Sequence, residues 1–205
     1  MVDAVVFDFD GTLVDSVPSI WREYQRVMEV MNLKDVTHRE FTKHVGRPWE
    51  QVLRSLWPDI DVLEFTKNYR SSDESLKPFK GVGKTFKYLS KKYKLAIMTS
   101  RGESSLVKNL KDPEINLKLF DGVFHRNNLR FHKPDPRAIT QVCESLGVKP
   151  EDTIYVGDSI VDARCALDAG AGFIGVLSGG AWEEDMRGEG VKVVLESVVD
   201  LPNVL

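Results

Sequence analysis

Carboxylates dominate the groups in this chain that could do chemistry. Asp8 and Asp10 sit in Phe7-Asp8-Phe9-Asp10-Gly11-Thr12, at the end of the apolar, β-branched run Ala4 to Phe9. Two residues apart, they would share one side of a regular strand. Carboxylates that close repel, so they call for a cation or a shared proton. Gly11 lets the backbone turn sharply beside them. A second acidic group, Gly157-Asp158-Ser159-Ile160-Val161-Asp162, follows the run Thr153 to Val156. Asp158 and Asp162 are four apart, on one face of a helix that begins there. Asp158 or Ser159 also suits a helix N-cap. Between the two groups lie Thr99 and Ser100, whose hydroxyls and amides suit phosphate oxygens, and Lys133, a cation near the start of a helix-like stretch. Oxygen ligands without a His or Cys cluster point to Mg²⁺ rather than zinc. A lysine and hydroxyls beside Mg²⁺ point to a phosphoryl group.

These residues need a scaffold that presents strand ends together. Further strand-like runs are Leu95 to Thr99, Phe173 to Leu177 and Val191 to Leu195. Helix-like stretches alternate with them at 81–93, 103–110, 136–146 and 160–169, and Gly147 and Gly170 fall where C-terminal caps belong. Continuous apolar strands alternating with helices predict an α/β fold, with a parallel sheet covered on both faces. Open sheets of this kind bind ligands at the carboxyl ends of their strands. From about Val17 to Pro78 the alternation stops. Ile20, Tyr24, Val27 and Met31 mark one helix face, and further helical patterns flank the Gly46-Arg47-Pro48 turn and cover Leu63 to Tyr69. This predicts a core of residues 1–15 and 78–205 with a helical insert at 16–77. Gly81-Val82-Gly83-Lys84-Thr85 resembles the end of a phosphate-binding loop. Pro78 stands where that pattern needs glycine and no buried strand precedes it, so the segment reads as a helix start.

Composition narrows the partners. The 205 residues carry 28 Lys plus Arg against 31 Asp plus Glu, a net charge of −3. That balance, without a long basic run, argues against nucleic acid or an anionic membrane as partner. Lys91, Lys92 and Lys94 read as a solvated helix end. Cys143 and Cys165 make neither a disulfide framework nor a four-ligand zinc site and read as small core residues. No signal-peptide pattern and no membrane-length apolar run is visible, so the expected compartment is the cytoplasm.

In this order the motifs resemble those of the haloacid dehalogenase superfamily of phosphatases. Asp8-Phe9-Asp10-Gly11-Thr12 resembles the opening motif, Thr99 the hydroxyl of the second, Lys133 the lysine of the third, and Gly157 to Asp162 the fourth. The insert resembles the helical cap of the phosphoglycolate phosphatase-like and β-phosphoglucomutase-like branch. The resemblance implies a Rossmann-like core with a cap, and a phosphoryl transfer through Asp8 as nucleophile and Asp10 as general acid and base. It implies Mg²⁺ bound by Asp8, the Asp10 backbone carbonyl and Asp158, with Asp162 either a direct ligand or a support. It implies that Thr99, Lys133 and amides near Gly11 and Ser100 hold the phosphoryl oxygens, with Thr12 completing the first motif. Arg47 in the cap turn and Arg101 beside Ser100 would read a second anionic group on the substrate. Asp15 and Ser16 would shape the hinge into the cap.

The function implied is Mg²⁺-dependent hydrolysis of a small phosphorylated metabolite, phosphoglycolate first, by a monomer or homodimer. The main alternative is a phosphosugar mutase with the same four motifs. Asp10 opposes a dehalogenase, and a phosphonate hydrolase would need a cap lysine that cannot be placed. A signalling receiver domain lacks the insert and carries its acceptor Asp on a middle strand. A non-catalytic phosphoacceptor or binding protein would not need every one of these polar groups.

Overall fold

In the computed structural model, which describes residues 1–70 and 76–205, six strands form one parallel sheet of order β3-β2-β1-β4-β5-β6. They are β1 (Ala4–Phe7), β2 (Lys94–Met98), β3 (Gly122–Phe124), β4 (Thr153–Gly157), β5 (Gly172–Val176) and β6 (Val193–Leu195). β1 lies at the centre, with Val5 in register with Leu95 of β2 on one side and Ile154 of β4 on the other. Its four residues are fully buried, which suits a strand covered on both faces.

Alternation along β1 assigns its two faces. Ala4 and Val6 pack with α7 (Arg137–Leu146), α8 (Ile160–Asp168) and α9 (Glu183–Gly188), through Ile139, Cys143, Ala163 and Met186. Val5 and Phe7 pack with α5 (Val82–Leu89), α6 (Glu103–Asn109) and the C-terminal 3-10 turn Val198–Asn203, through Phe86, Leu106 and Leu201. Both cysteines are free and buried in the first of these layers.

The expected helical insert contains α1 (Val17–Val30), α2 (His38–Thr42), α3 (Trp49–Leu56) and α4 (Val62–Asn68); its residues 71–75 lie outside the described residues. Tyr24, Val27, Phe41, Leu53, Trp57 and Phe65 form a hydrophobic cluster of their own. Tyr24 is its hub, within 4.7 Å of Phe41 and 5.4 Å of Phe65 by ring centroids. The chain leaves and re-enters the sheet layer side by side: the Asp15 N–H donates to the Lys77 carbonyl at 3.0 Å, and Phe79 N–H to the Leu13 carbonyl at 3.0 Å. No helix among the described residues is long and apolar enough to cross a membrane.

Some elements differ from expectation. β3 and α9 carry no sequence pattern that singles them out: β3 is three half-buried residues, and α9 is one turn and a half that buries Met186. The helix expected at 81–93 ends at Leu89, and Lys94 opens β2, its Nζ donating to the Leu146 carbonyl at 2.7 Å. Gly81, with φ +97°, precedes α5, so the segment that resembles a phosphate loop is a helix start.

Candidate active site

β1, β2 and β4 are neighbours, so their carboxyl ends deliver Asp8, Thr99 and Asp158 to one place. β1 stops at Phe7, and Gly11 at φ +72° turns the chain back so that its N–H donates to the Val14 carbonyl at 2.9 Å. The strand is therefore not regular through Asp10. Asp8 faces Lys133, and Asp10 faces Arg101.

Lys133 is the hub of the buried part. It comes from the loop before α7, is 2% exposed, and its Nζ lies 2.9 Å from Asp8 Oδ1 and 2.7 Å from Asp162 Oδ1. It also donates to the Tyr155 hydroxyl at 3.1 Å, which in turn donates to Asp162 Oδ1 at 2.9 Å. Burial alone would lower the lysine pKa, but Asp162 and Asp8 more than reverse this and hold it raised, as an ammonium. Asp162 occupies the third position of α8. Its Oδ2 accepts from Ser159 Oγ at 2.6 Å and Ser159 N–H at 3.2 Å, while its own N–H donates back to Ser159 Oγ. Ser159 is thus the N-cap; the capping box engages Oδ2 and Lys133 with Tyr155 engage Oδ1, so both Asp162 oxygens are occupied by protein donors.

Asp158 is fully buried just before that cap. Thr12 Oγ1 donates to its Oδ1 at 3.1 Å and Gly180 N–H to its Oδ2 at 2.9 Å. A Cβ at Gly11 or Gly179 would overlap Asp158 Oδ2, so both positions need glycine for the carboxylate to sit there. Burial, with Asp162 adding to it, pushes the Asp158 carboxyl up to about 7. Burial also raises Asp8, against the opposing pull of Lys133.

Asp8, Asp158 and Asp162 each offer an oxygen within 4.8 Å of the others. Three buried carboxylates with one ammonium leave a negative excess, and every donor is a hard oxygen. That set fits Mg²⁺. The Asp10 carboxylate is not in the cluster. Arg101 Nε donates to its Oδ2 at 2.9 Å and Nη2 to its Oδ1. Burial raises the Asp10 pKa, but the guanidinium outweighs it and the carboxyl is held below its ordinary value.

A 470 Å³ cavity stands over this floor. Asp8, Asp10, Thr99, Ser100, Arg101 and Lys133 line it from the sheet layer, and Tyr24, Phe41, Arg47, Trp49 and Tyr69 from the helical insert. Gly11 and Thr12 do not line it: the Gly11 N–H is held by Val14, and the Thr12 hydroxyl supports Asp158. Thr99 Oγ1 accepts from the Arg101 N–H at 3.1 Å, and Ser100 Oγ donates to the Gly46 carbonyl at 2.6 Å, which ties the Gly46-Arg47-Pro48 turn of the insert to the end of β2. On the outer side, Arg39 pairs with Glu184 and lies over the Trp182 ring at 5.4 Å. Tyr155 and Gly180 were not foreseen as site residues. A tyrosine inside a buried strand and a Gly-Gly pair just after one are the signals that could have marked them.

Comparison with known proteins agrees with this arrangement. The family model for haloacid dehalogenase-like hydrolases matches residues 5–176, from β1 to the end of β5. A phosphoglycolate phosphatase of Nitrosospira multiformis is 28% identical over 184 residues, covering 83% of this chain and 81% of its own. The pyrophosphatase PpaX of Halalkalibacterium halodurans is 27% identical over 210 residues, covering 100% and 97%. The crystal structure of a hydrolase from Pseudomonas syringae shares the fold, with a TM-score of 0.86 at 24% identity over 100% of this chain and 97% of that one. The family match thus takes in Asp8, Thr99, Lys133 and Asp158 together with the strands that carry them, and on that ground the chain belongs to the haloacid dehalogenase-like hydrolases.

Proposed function

We propose that the protein is a Mg²⁺-dependent phosphatase of a small phosphorylated metabolite in the cytoplasm, working through an aspartyl-phosphate, with phosphoglycolate-like esters as leading substrates. The single observation that carries this reading is the position of Asp8: its carboxylate lines the cavity while Lys133 and the buried acidic cluster stand behind it. Two free, buried thiols suit a reducing compartment.

Asp8 attacks phosphorus in line; the bond from phosphorus to the ester oxygen breaks, and Asp10 gives its proton to the leaving oxygen. Water then attacks the phosphorus of the aspartyl-phosphate, Asp10 takes its proton, and phosphate leaves with Asp8 regenerated. The Arg101 pair favours ionised Asp10, the form needed in the second half-reaction. In the first, Arg101 must release Asp10 for it to carry a proton. Thr99 and Lys133 hold the phosphoryl oxygens, an electrostatic clamp on charge that spreads in the transition state. Asp8, Asp158 and the Asp10 carbonyl would hold Mg²⁺, which supplies the charge that lets a phosphate dianion approach a carboxylate. Asp162, with both oxygens engaged, positions Lys133 and the start of α8. Residues 16–77 act as the cap, which excludes water from the cavity.

The test is a phosphomonoester panel with and without Mg²⁺, scoring free phosphate and, for a sugar 1-phosphate, isomerised product. Mg²⁺-dependent phosphate release is expected. Isomer formation in its place would make the enzyme a mutase.

A further inference from the structure

Four cationic side chains, Arg47, Arg101, Arg126 and Lys133, line the cavity, against the carboxylates of Asp8 and Asp10. Two of the four are already neutralised: Lys133 by Asp8 and Asp162, and Arg101 by Asp10. The other two are not. Among the described residues, Arg47 makes only a 3.4 Å contact from Nη1 to Ser55 Oγ, and its buried Nε has no hydrogen-bond partner there. Arg126 pairs with no carboxylate among the described residues.

Arg126 follows β3, and its backbone N–H donates to the Arg101 carbonyl at 3.1 Å, which fixes its Cα beside the phosphoryl end of the cavity. Its guanidinium is next to Gly102, where an added Cβ would come within 3.1 Å of Nη2. Gly102 lines the same cavity, so the close packing keeps the guanidinium along the wall. Lys133 and Arg101 are taken up by carboxylates of the site itself, which leaves these two guanidiniums, one from the helical insert and one from the sheet layer, available to a ligand. A guanidinium fork suits a carboxylate or a phosphoryl group.

We propose that Arg126 is a specificity-determining residue that, with Arg47, binds a second anionic group of the substrate, a carboxylate or a further phosphoryl group. This rests on the phosphatase reading above.

The test compares kcat/KM for 2-phosphoglycolate, pyrophosphate and phenyl phosphate in the wild type, Arg126→Ala and Arg126→Lys, all with Mg²⁺. Arg126 is exposed, and a thermal melt checks that the variants fold. Arg126→Ala is expected to lower the ratio of the doubly anionic ester to phenyl phosphate by roughly tenfold or more, through KM rather than kcat. Arg126→Lys restores part of the ratio. A fall for phosphoglycolate alone assigns a carboxylate site, and a fall for pyrophosphate alone a phosphoryl site. A parallel loss on all three substrates, or an unchanged ratio in an active enzyme, overturns the role of Arg126 and leaves the phosphatase reading standing. A wild type that hydrolyses none of them overturns both.

Discussion

Arg101 holds Asp10 through two N–H donors, the Nε bond to Oδ2 being 2.9 Å long. Asp10, the proposed general acid and base, is thereby tied to a residue that also lines the cavity. Removing the cation should let burial raise the Asp10 pKa. In Arg101→Ala the acid limb of the kcat profile is expected to move to higher pH. A limb that stays in place would show that Asp10 does not set it.

Asp8→Asn should lower Mg²⁺-dependent phosphate release by on the order of a thousandfold or more, because an amide cannot form the aspartyl-phosphate. The fold should survive, since the change removes one charge from a crowded acidic cluster. Circular dichroism with a phosphate-release assay checks both halves. Near-normal turnover would remove Asp8 as nucleophile.

Lys133→Met leaves two buried carboxylates, Asp8 and Asp162, without their cation. The expected cost is about 3–5 kcal/mol in a urea melt of metal-free protein. Adding Asp8→Asn to the same chain should return part of it, because one of the stranded charges is then gone. Additive losses in this cycle would mean that the two groups do not interact.

Asp158 gives a pH signature. Its folded carboxyl sits at about 7, above the ordinary 3.8, so the folded state holds the proton more tightly than the unfolded state. The associated stability is complete below about pH 4 and is lost as pH rises through about 7. Metal-free protein should therefore lose Tm between pH 5 and 8 (on the order of a few degrees), and Asp158→Asn should flatten the decline. Mg²⁺ competes with that proton, so it should raise Tm more at pH 8 than at pH 5.5. An equal rise at both would take Asp158 out of the metal site.

The strands that mattered were legible because they are continuous apolar runs bounded by chemistry: β1 before Asp8, β2 before Thr99, β4 before Asp158. β3 was not, because three half-buried residues at the edge of a sheet make no pattern. Within the site, the approach of Asp8, Asp158 and Asp162 was implied by strand ends and by spacing. The divergence of Asp10 was hidden, since it depends on where β1 stops and on the turn at Gly11. The engagement of Asp162 by Lys133, and of Asp158 by Gly180, arises from contacts between segments well separated in sequence. Tyr155 in particular has the local appearance of an ordinary core residue, and only its hydroxyl's neighbours distinguish it.

The bridge between Asp15 and Lys77 has a topological consequence. Because the chain departs and returns within one hydrogen bond, the sheet layer meets the whole intervening segment as if it were a tight loop. Its length and content can change without pulling β1 away from its neighbours. Descent with modification can therefore exchange the inserted helices while the sheet layer keeps its register, and on the proposed function a foreign insert grafted between Asp15 and Lys77 is a route to altered selectivity on an unaltered reaction.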